Sequence, residues 1–144
     1  LGVAQWQGLG WDSGKLAFLY GSGVKFLWRK QGERVIRWAF GKPWVWRGGF
    51  LSGRSTIYVC EGETDAISLI DAGAEEDGSA LVVALPSAST FSEEWADLFK
   101  GKDFILALDG DTAGRDTTAR VSALLLPKVR RLKQLNWEGL KIAS

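Results

Sequence analysis

Two acidic stretches of the sequence decide the fold. Residues 56–66 read TIYVCEGETDA, and residues 104–115 read FILALDGDTAGR. Each stretch begins with the aliphatic, aromatic or β-branched run of a buried strand, turns at a glycine and continues into a helical pattern. Strand–helix units that repeat along a chain predict a parallel sheet with helices on both faces. We therefore expect an α/β fold.

Four carboxylates follow the two strands. Glu61 and Asp65 come after the first strand, and Asp109 and Asp111 come after the second. Ligands of parallel sheets bind beyond the carboxyl ends of the strands. If the two strands are neighbours, the four acids converge at one sheet edge, where their mutual repulsion requires a cation. Carboxylate oxygens favour Mg²⁺ or Mn²⁺ as that cation.

Three other interpretations of the second stretch are considered. Its start imitates an EF-hand loop, but Ala113 and Arg120 stand where that loop needs acidic ligands. Asp109 is also placed like the aspartate nucleophile of some phosphotransferases. Asp111 alone would serve as a helix cap. The second acidic motif, at the matching position of another strand–helix unit, favours the metal site.

The remaining elements are predicted outward from these stretches. We expect a further strand at residues 81–85 and a last strand at 129–135. We expect helices at 64–72, from a capping box at 90–93 to residue 100, and from about 113 to 126. Upstream, alternating patterns and glycine turns predict short antiparallel strands at residues 15–20, 24–28 and 35–40. Six of the eight tryptophans lie in this upstream part, at positions 6, 11, 28, 38, 44 and 46. We expect most of them to pack a small core, and a stacking surface for bases is the alternative.

Charge is segregated along the chain, although the formal net charge is only +1. Residues 1–58 contain nine basic and two acidic side chains, residues 59–118 three and fourteen, and residues 119–144 six and one. Basic segments attract phosphate polymers, and clustered carboxylates attract divalent metals. The layout favours a protein that brings a metal and a nucleic acid together.

Composition excludes several classes of function. With no histidine and one cysteine, Cys60, the chain cannot assemble a Ser-His-Asp triad or a usual zinc site. A hydrophobic content of 46% and a charged content of 24% indicate a globular chain. No apolar run is long enough to span a membrane, and the first residues lack a signal-peptide pattern. We expect a cytoplasmic protein without a membrane partner.

The ordered motifs at residues 57–66, 84–89 and 106–115 resemble the Toprim domain of bacterial and phage DNA primases and primase-helicases. The upstream residues resemble part of the basic, β-rich lobe that precedes Toprim in those enzymes. The resemblance implies two domains, a basic lobe at residues 1–54 and a Toprim catalytic domain at 55–144.

The resemblance also implies a function. A primase of this kind is a DNA-directed RNA polymerase, a nucleotidyltransferase of DNA replication that makes short RNA primers on a single-stranded DNA template from ribonucleoside triphosphates. Its partners include a helicase in cis or in trans. By analogy, Glu61 and Asp65 are catalytic, and Asp109, Asp111 and Glu61 hold Mg²⁺ or Mn²⁺. Candidates for binding template and nucleotide are Lys25, Arg29, Arg37, Lys42, Arg47 and Arg115.

One feature of the family is missing. These primases carry a third acidic motif after the strand that follows the helix at 113–126, but no aspartate follows Asp116 in this sequence. We expect either that the chain ends short of that motif or that the first two motifs form the whole metal site. The alternative functions are a Toprim nuclease and a non-catalytic module that binds single-stranded DNA through Trp28, Trp38, Trp44 or Trp46.

Overall fold

The computed structural model describes residues 9–12, 14–20, 23–40, 44–85, 91–108 and 112–135. Two sheets lie within these ranges. The strands are β1 Leu9–Asp12, β2 Lys15–Tyr20, β3 Gly23–Lys30, β4 Glu33–Phe40, β5 Thr56–Glu61, β6 Ala80–Leu85, β7 Asp103–Ala107 and β8 Arg131–Gln134. The helices are α1 Glu63–Asp71, α2 Glu93–Asp97 and α3 Thr112–Leu125.

The first sheet is antiparallel and has the order β1-β2-β3-β4. The three predicted upstream strands are confirmed as β2, β3 and β4. The turn between β3 and β4 places Gln31 at φ 52° and Gly32 at φ 83°, the pair of positive angles that suits a two-residue hairpin. β1 was not predicted, because four residues interrupted by Gly10 carry no clear strand pattern and depend on pairing with β2.

The second sheet is parallel and has the order β6-β5-β7-β8. Its central strands are therefore the two that precede the acidic motifs. Side chains alternate along β5: Ile57 and Val59 pack in the cluster that contains Phe99 of the α2 segment and Val121 of α3. Cys60 packs on the opposite face with Ala66 and Leu69 of α1. Helices thus cover both faces, as predicted.

The helices differ from the prediction mainly at their ends. α2 closes at Asp97 and continues as turns to residue 101, so the predicted end at residue 100 is wrong by one turn. α1 ends at Asp71, one residue before the predicted end, with Ala72 as its C-cap. Gly73 follows the cap at φ 98°, a left-handed angle that a glycine accepts without strain. No helix among the described residues has both the length and the apolar character needed to cross a bilayer.

Residues 44–51 pack with the parallel sheet. Val45, Trp46 and Leu51 are buried in its two clusters. Trp46 forms an isolated antiparallel bridge with Ala84 on the outer side of β6, with hydrogen bonds of 2.9 and 3.3 Å in the two directions. The expected domain boundary between residues 54 and 55 stays a prediction, but this packing joins residues 44–51 to the parallel sheet.

Trp46 offers a test of that packing. Its ring is fully buried and meets Phe18 edge to face, with 5.9 Å between the ring centroids. We expect Trp46→Ala to lower the free energy of unfolding by about 3–5 kcal/mol, since it removes a buried indole and leaves a cavity. Phe50→Ala is the control, because Phe50 is 45% exposed, and it should cost about 1 kcal/mol at most. Chemical denaturation measures the free energy of unfolding of both variants. Equal losses in the two variants would contradict the packing of Trp46 in the core.

Candidate functional site

The carboxyl ends of β5 and β7 lie side by side. The two strands pair in parallel through Cys60 and Ala107, so Glu61 at the end of β5 and Leu108 after β7 reach the same edge. Neighbouring strands are about 4.8 Å apart. The two strands are therefore neighbours, which is the condition on which the predicted convergence of the acids depends. Asp109 and Asp111 follow Leu108 in the sequence but lie outside the described residues, so convergence of the four acids remains a prediction.

A glycine turn connects β5 to α1. Gly62 has φ 94° and ψ 152°, angles that an L side chain rarely adopts. Its N–H donates to the carbonyl of Leu85 at the end of β6, at 3.2 Å. The turn allows α1 to begin at Glu63, two residues after Glu61, and places Asp65 in the first helical turn. Glu61 and Asp65 are both half-buried.

The turn between β5 and α1 therefore requires a glycine at position 62. We expect Gly62→Ala to destabilise the chain by about 1–3 kcal/mol, because the added Cβ makes the observed backbone angles strained. The control is Gly49→Ala, where a Cβ meets no atom within 4 Å and the backbone angle is ordinary. Thermal and chemical unfolding should separate the two variants. An unperturbed Gly62→Ala protein would show that the turn tolerates other residues.

The donor set suits a hard divalent cation. The predicted ligands are all carboxylates, and oxygen donors without imidazole or thiolate favour Mg²⁺ or Mn²⁺. Cys60 is fully buried on the α1 face of the sheet and does not compete as a soft ligand. Among the described residues no group of three or more ligating side chains assembles. The complete predicted set includes Asp109 and Asp111, which lie beyond those residues.

Lys25 does not occupy the position expected of a template ligand. Its ammonium lies 2.6 Å from the carboxylate of Glu63, and each side chain is only 8% exposed. Burial raises the pKa of Glu63 to about 7. Burial, helped by the positive charge of Arg34, lowers the pKa of Lys25. A buried, ion-paired lysine does not fit the surface phosphate contact that we expected, so Lys25 is left out of the nucleic-acid surface.

Arg47 is also buried rather than presented to solvent. Its guanidinium donates to both carboxylate oxygens of Glu75 at 3.0 Å, and to the carbonyl of Val82 at 3.1 Å. Glu75 in turn accepts a bond from the backbone N–H of Val82 at 2.7 Å. Arg47 therefore anchors the residues before β5 against β6, and the expected role in binding template does not fit this burial.

Arg29 and Arg34 do remain at the surface. They face each other across β3 and β4 in the register, and both are exposed. Arg29 donates to the carbonyl of Gly32 at 3.0 Å. No ion pair with an acidic side chain is found for either arginine within the described residues. They help to line a cavity of about 340 Å³ together with Gly14, Leu16, Leu27 and Trp28.

The other predicted binding residues occupy different places. Arg37 is exposed on β4. Arg115 is exposed in the first turns of α3, shortly after the second acidic motif. Lys42 lies outside the described residues.

The tryptophans divide between core and surface. Trp46 belongs to the core, as we expected of most of them. Trp28 is half-buried beneath the ammonium of Lys15, which lies 4.4 Å from the ring centroid. Trp44 is half-buried against the apolar cluster that contains Ala66 and Leu69 of α1. The side chain of Trp38 lies outside the described part of the chain.

Sequence reasoning missed the roles of four residues of this region. Arg34 lies next to the predicted turn. Only the register of the hairpin shows that it lies opposite Arg29. For Lys25 a signal existed, because it alternates in phase with Leu27 and therefore points to the covered face of β3. Glu63 and Glu75 gave no local signal, since their partners lie 38 and 28 residues away.

The sequence matches the family model described as Toprim-like over residues 58–141. The chain belongs to the Toprim-like family. The match includes both acidic motifs and the whole parallel sheet except the first two residues of β5. No curated protein matches the sequence.

Two solved structures share the fold of this Toprim-like chain. The primase fragment of the bacteriophage T7 primase-helicase matches with a TM-score of 0.60 and 21% identity, over 89% of this chain. This chain spans 58% of the length of that fragment. A chain in a complex of the bacteriophage T7 lagging-strand DNA polymerase with primase domains of two gp4 subunits matches with a TM-score of 0.62 and 20% identity. That match covers 90% of this chain and 72% of the other.

Proposed function

We propose that this chain is the catalytic core of a DNA primase, which synthesises short RNA primers on single-stranded DNA by metal-dependent nucleotidyl transfer. The observation that carries the proposal is the parallel pairing of β5 with β7, which brings the carboxyl ends of the two strands that precede the acidic motifs to one sheet edge. Membership of the Toprim-like family and the fold shared with a phage primase fragment support it. The basic β-rich sheet beside this edge supplies a surface for nucleic acid.

Primer synthesis joins two nucleotides when a 3′ hydroxyl attacks an α-phosphorus and pyrophosphate leaves. In the proposed site Glu61 accepts the proton of the attacking hydroxyl, and Asp65 orients the reacting groups. Asp109, Asp111 and Glu61 hold Mg²⁺ or Mn²⁺. When bound, the cation stabilises the negative charge that builds on the phosphate oxygens. Half-burial of Glu61 and Asp65 limits the water that competes for them.

Template and nucleotide are proposed to meet exposed arginines. Arg29 and Arg34 share one face of the β3–β4 hairpin, and Arg37 lies on its other face. Arg115 lies in the first turns of α3, shortly after the second acidic motif in the sequence. A guanidinium binds phosphate oxygens with two parallel hydrogen bonds, so each arginine is a suitable contact for a phosphate. Helicase activity, in cis or in trans, would deliver the single-stranded template.

RNA synthesis tests the reaction itself. The chain is incubated with a single-stranded template, labelled ribonucleotides and Mn²⁺, and we expect short RNA products. Asp109→Ala should abolish both these products and the metal binding measured by calorimetry, since it removes a proposed ligand of the cation. Asp71→Ala is the control, because Asp71 is exposed at the opposite end of α1 from Glu61, and it should behave like the unchanged protein.

The same incubation separates the alternatives. Shortened template in place of new RNA would support a nuclease that uses these acids with water as the nucleophile. Template binding without either product, and without dependence on Asp109, would support a binding module. Unchanged metal affinity in Asp109→Ala would contradict the assignment of the site.

Salt dependence tests the phosphate contacts. Affinity for single-stranded DNA should fall with salt, and replacing Arg29, Arg34 or Arg37 by glutamine should flatten the log–log slope by about 0.7 for each phosphate that the protein no longer binds. The control is Arg130→Gln. Arg130 is exposed but bonds Asp103 at the opposite, amino-terminal edge of the parallel sheet, so its loss should leave the slope unchanged. A slope that none of the three substitutions alters would count against this surface.

A further inference from the structure

One ion pair joins the antiparallel sheet to the acidic edge. Lys25 lies on β3 and Glu63 is the first residue of α1, between Glu61 and Asp65 in the sequence. Their charged atoms are 2.6 Å apart, and both side chains are 8% exposed. The Lys25 ammonium also lies 5.9 Å from the centroid of the Phe18 ring.

The surroundings of the pair are apolar. Leu9 and Phe18 of the antiparallel sheet pack in one cluster with Ala66 and Leu69 of α1. Such contacts attract the two parts but tolerate sliding, because the hydrophobic effect has no direction. An ion pair in the same interface is different: a buried charge that loses its partner is costly, so only arrangements that keep the two groups together are favourable.

The pair also lies where orientation matters for the proposed reaction. Arg29 is four residues from Lys25 along β3, which is about 13 Å in an extended strand. Glu61 and Asp65 are each two residues from Glu63. A fixed Lys25–Glu63 contact therefore sets the distance between the exposed arginines and the acidic edge.

We propose that Lys25 and Glu63 form a latch that orients the antiparallel sheet over the acidic edge and so sets the path of a bound strand. They are positioning residues and touch neither template nor nucleotide. The effect on primer synthesis rests on the function proposed above. The orientation itself does not, and it can be measured without any reaction.

Distance measurement between spin labels tests the latch directly. Labels are placed at Lys30→Cys on the hairpin and Leu126→Cys after α3, since both positions are exposed. Cys60 is left in place because it is fully buried. We expect one narrow distance distribution in the otherwise unchanged chain, and a broader or shifted one once the latch is removed.

The variant that removes the latch is Lys25→Met combined with Glu63→Leu. Either single substitution leaves a buried charge and can unfold the chain, whereas the double variant leaves none, and apolar replacement of a buried ion pair is often neutral for stability. The matched control is Arg130→Met with Asp103→Asn, which removes a surface ion pair of the same 2.6 Å length. This control should keep the narrow distribution.

Activity provides the second measurement. We expect the double latch variant to synthesise primers about 10- to 100-fold more slowly, because a misplacement of an ångström costs about 10²-fold in rate. Its metal affinity should be unchanged. A folded double variant with the same narrow distance distribution overturns the latch, whatever its activity. If the distances respond as expected while even the unchanged chain makes no RNA, the latch stands and the proposed function fails.

Discussion

The parallel pairing of β5 with β7 is the constraint on which the rest of the structure depends. The chain leaves β5 through α1 to reach β6 on one side, returns through α2 to place β7 on the other side, and leaves β7 through α3. α1 packs on one face of the sheet and α3 on the other. Connections that leave two adjacent strands toward opposite faces open a crevice at the carboxyl ends of those strands. Glu61 ends the first of these strands, and Asp109 follows the second. The topology, more than any single side chain, makes this edge the place for chemistry.

Several basic side chains of residues 1–58 bond within the protein and are not free at its surface. Lys25 and Arg47 are buried in ion pairs with Glu63 and Glu75, so they bind the basic part of the chain to the acidic part. Arg54 is partly buried and donates to backbone carbonyls at 2.8 and 3.0 Å. Charges neutralised in this way contribute little to the field at the surface. The exposed positive charge that nucleic acid could meet is therefore smaller than the number of basic residues in 1–58 suggests. It is concentrated on the β3–β4 hairpin.

Local signals predicted most of the fold, and interactions between distant residues account for what they missed. Apolar runs and glycine turns were sufficient for β5, β7 and their neighbours, because a strand buried on both faces is recognisable from its own residues. β1 and the packing of residues 44–51 on the parallel sheet were missed, since each is defined by a partner: β1 by β2, and Trp46 by Ala84. For the site, the two acidic motifs identified the candidate acids and the strands that they follow. Alternation with Leu27 gave a signal for the burial of Lys25, but no local pattern indicated that Arg47 would be buried or which acids would pair with the two residues, because those partners are many residues away.

The Lys25–Glu63 pair also bears on the charge balance of the acidic edge. Glu63 lies between two carboxylates that are proposed to act in catalysis, and a third free carboxylate there would add repulsion to a site that already concentrates negative charge. Pairing with Lys25 neutralises that third charge without consuming a metal ligand. A neutral residue at position 63 would relieve the repulsion equally well, but it would give the antiparallel sheet no directional contact with α1. The choice of a buried ion pair at this position is thus best explained by orientation, because the stability it adds over an apolar pair is small or negative.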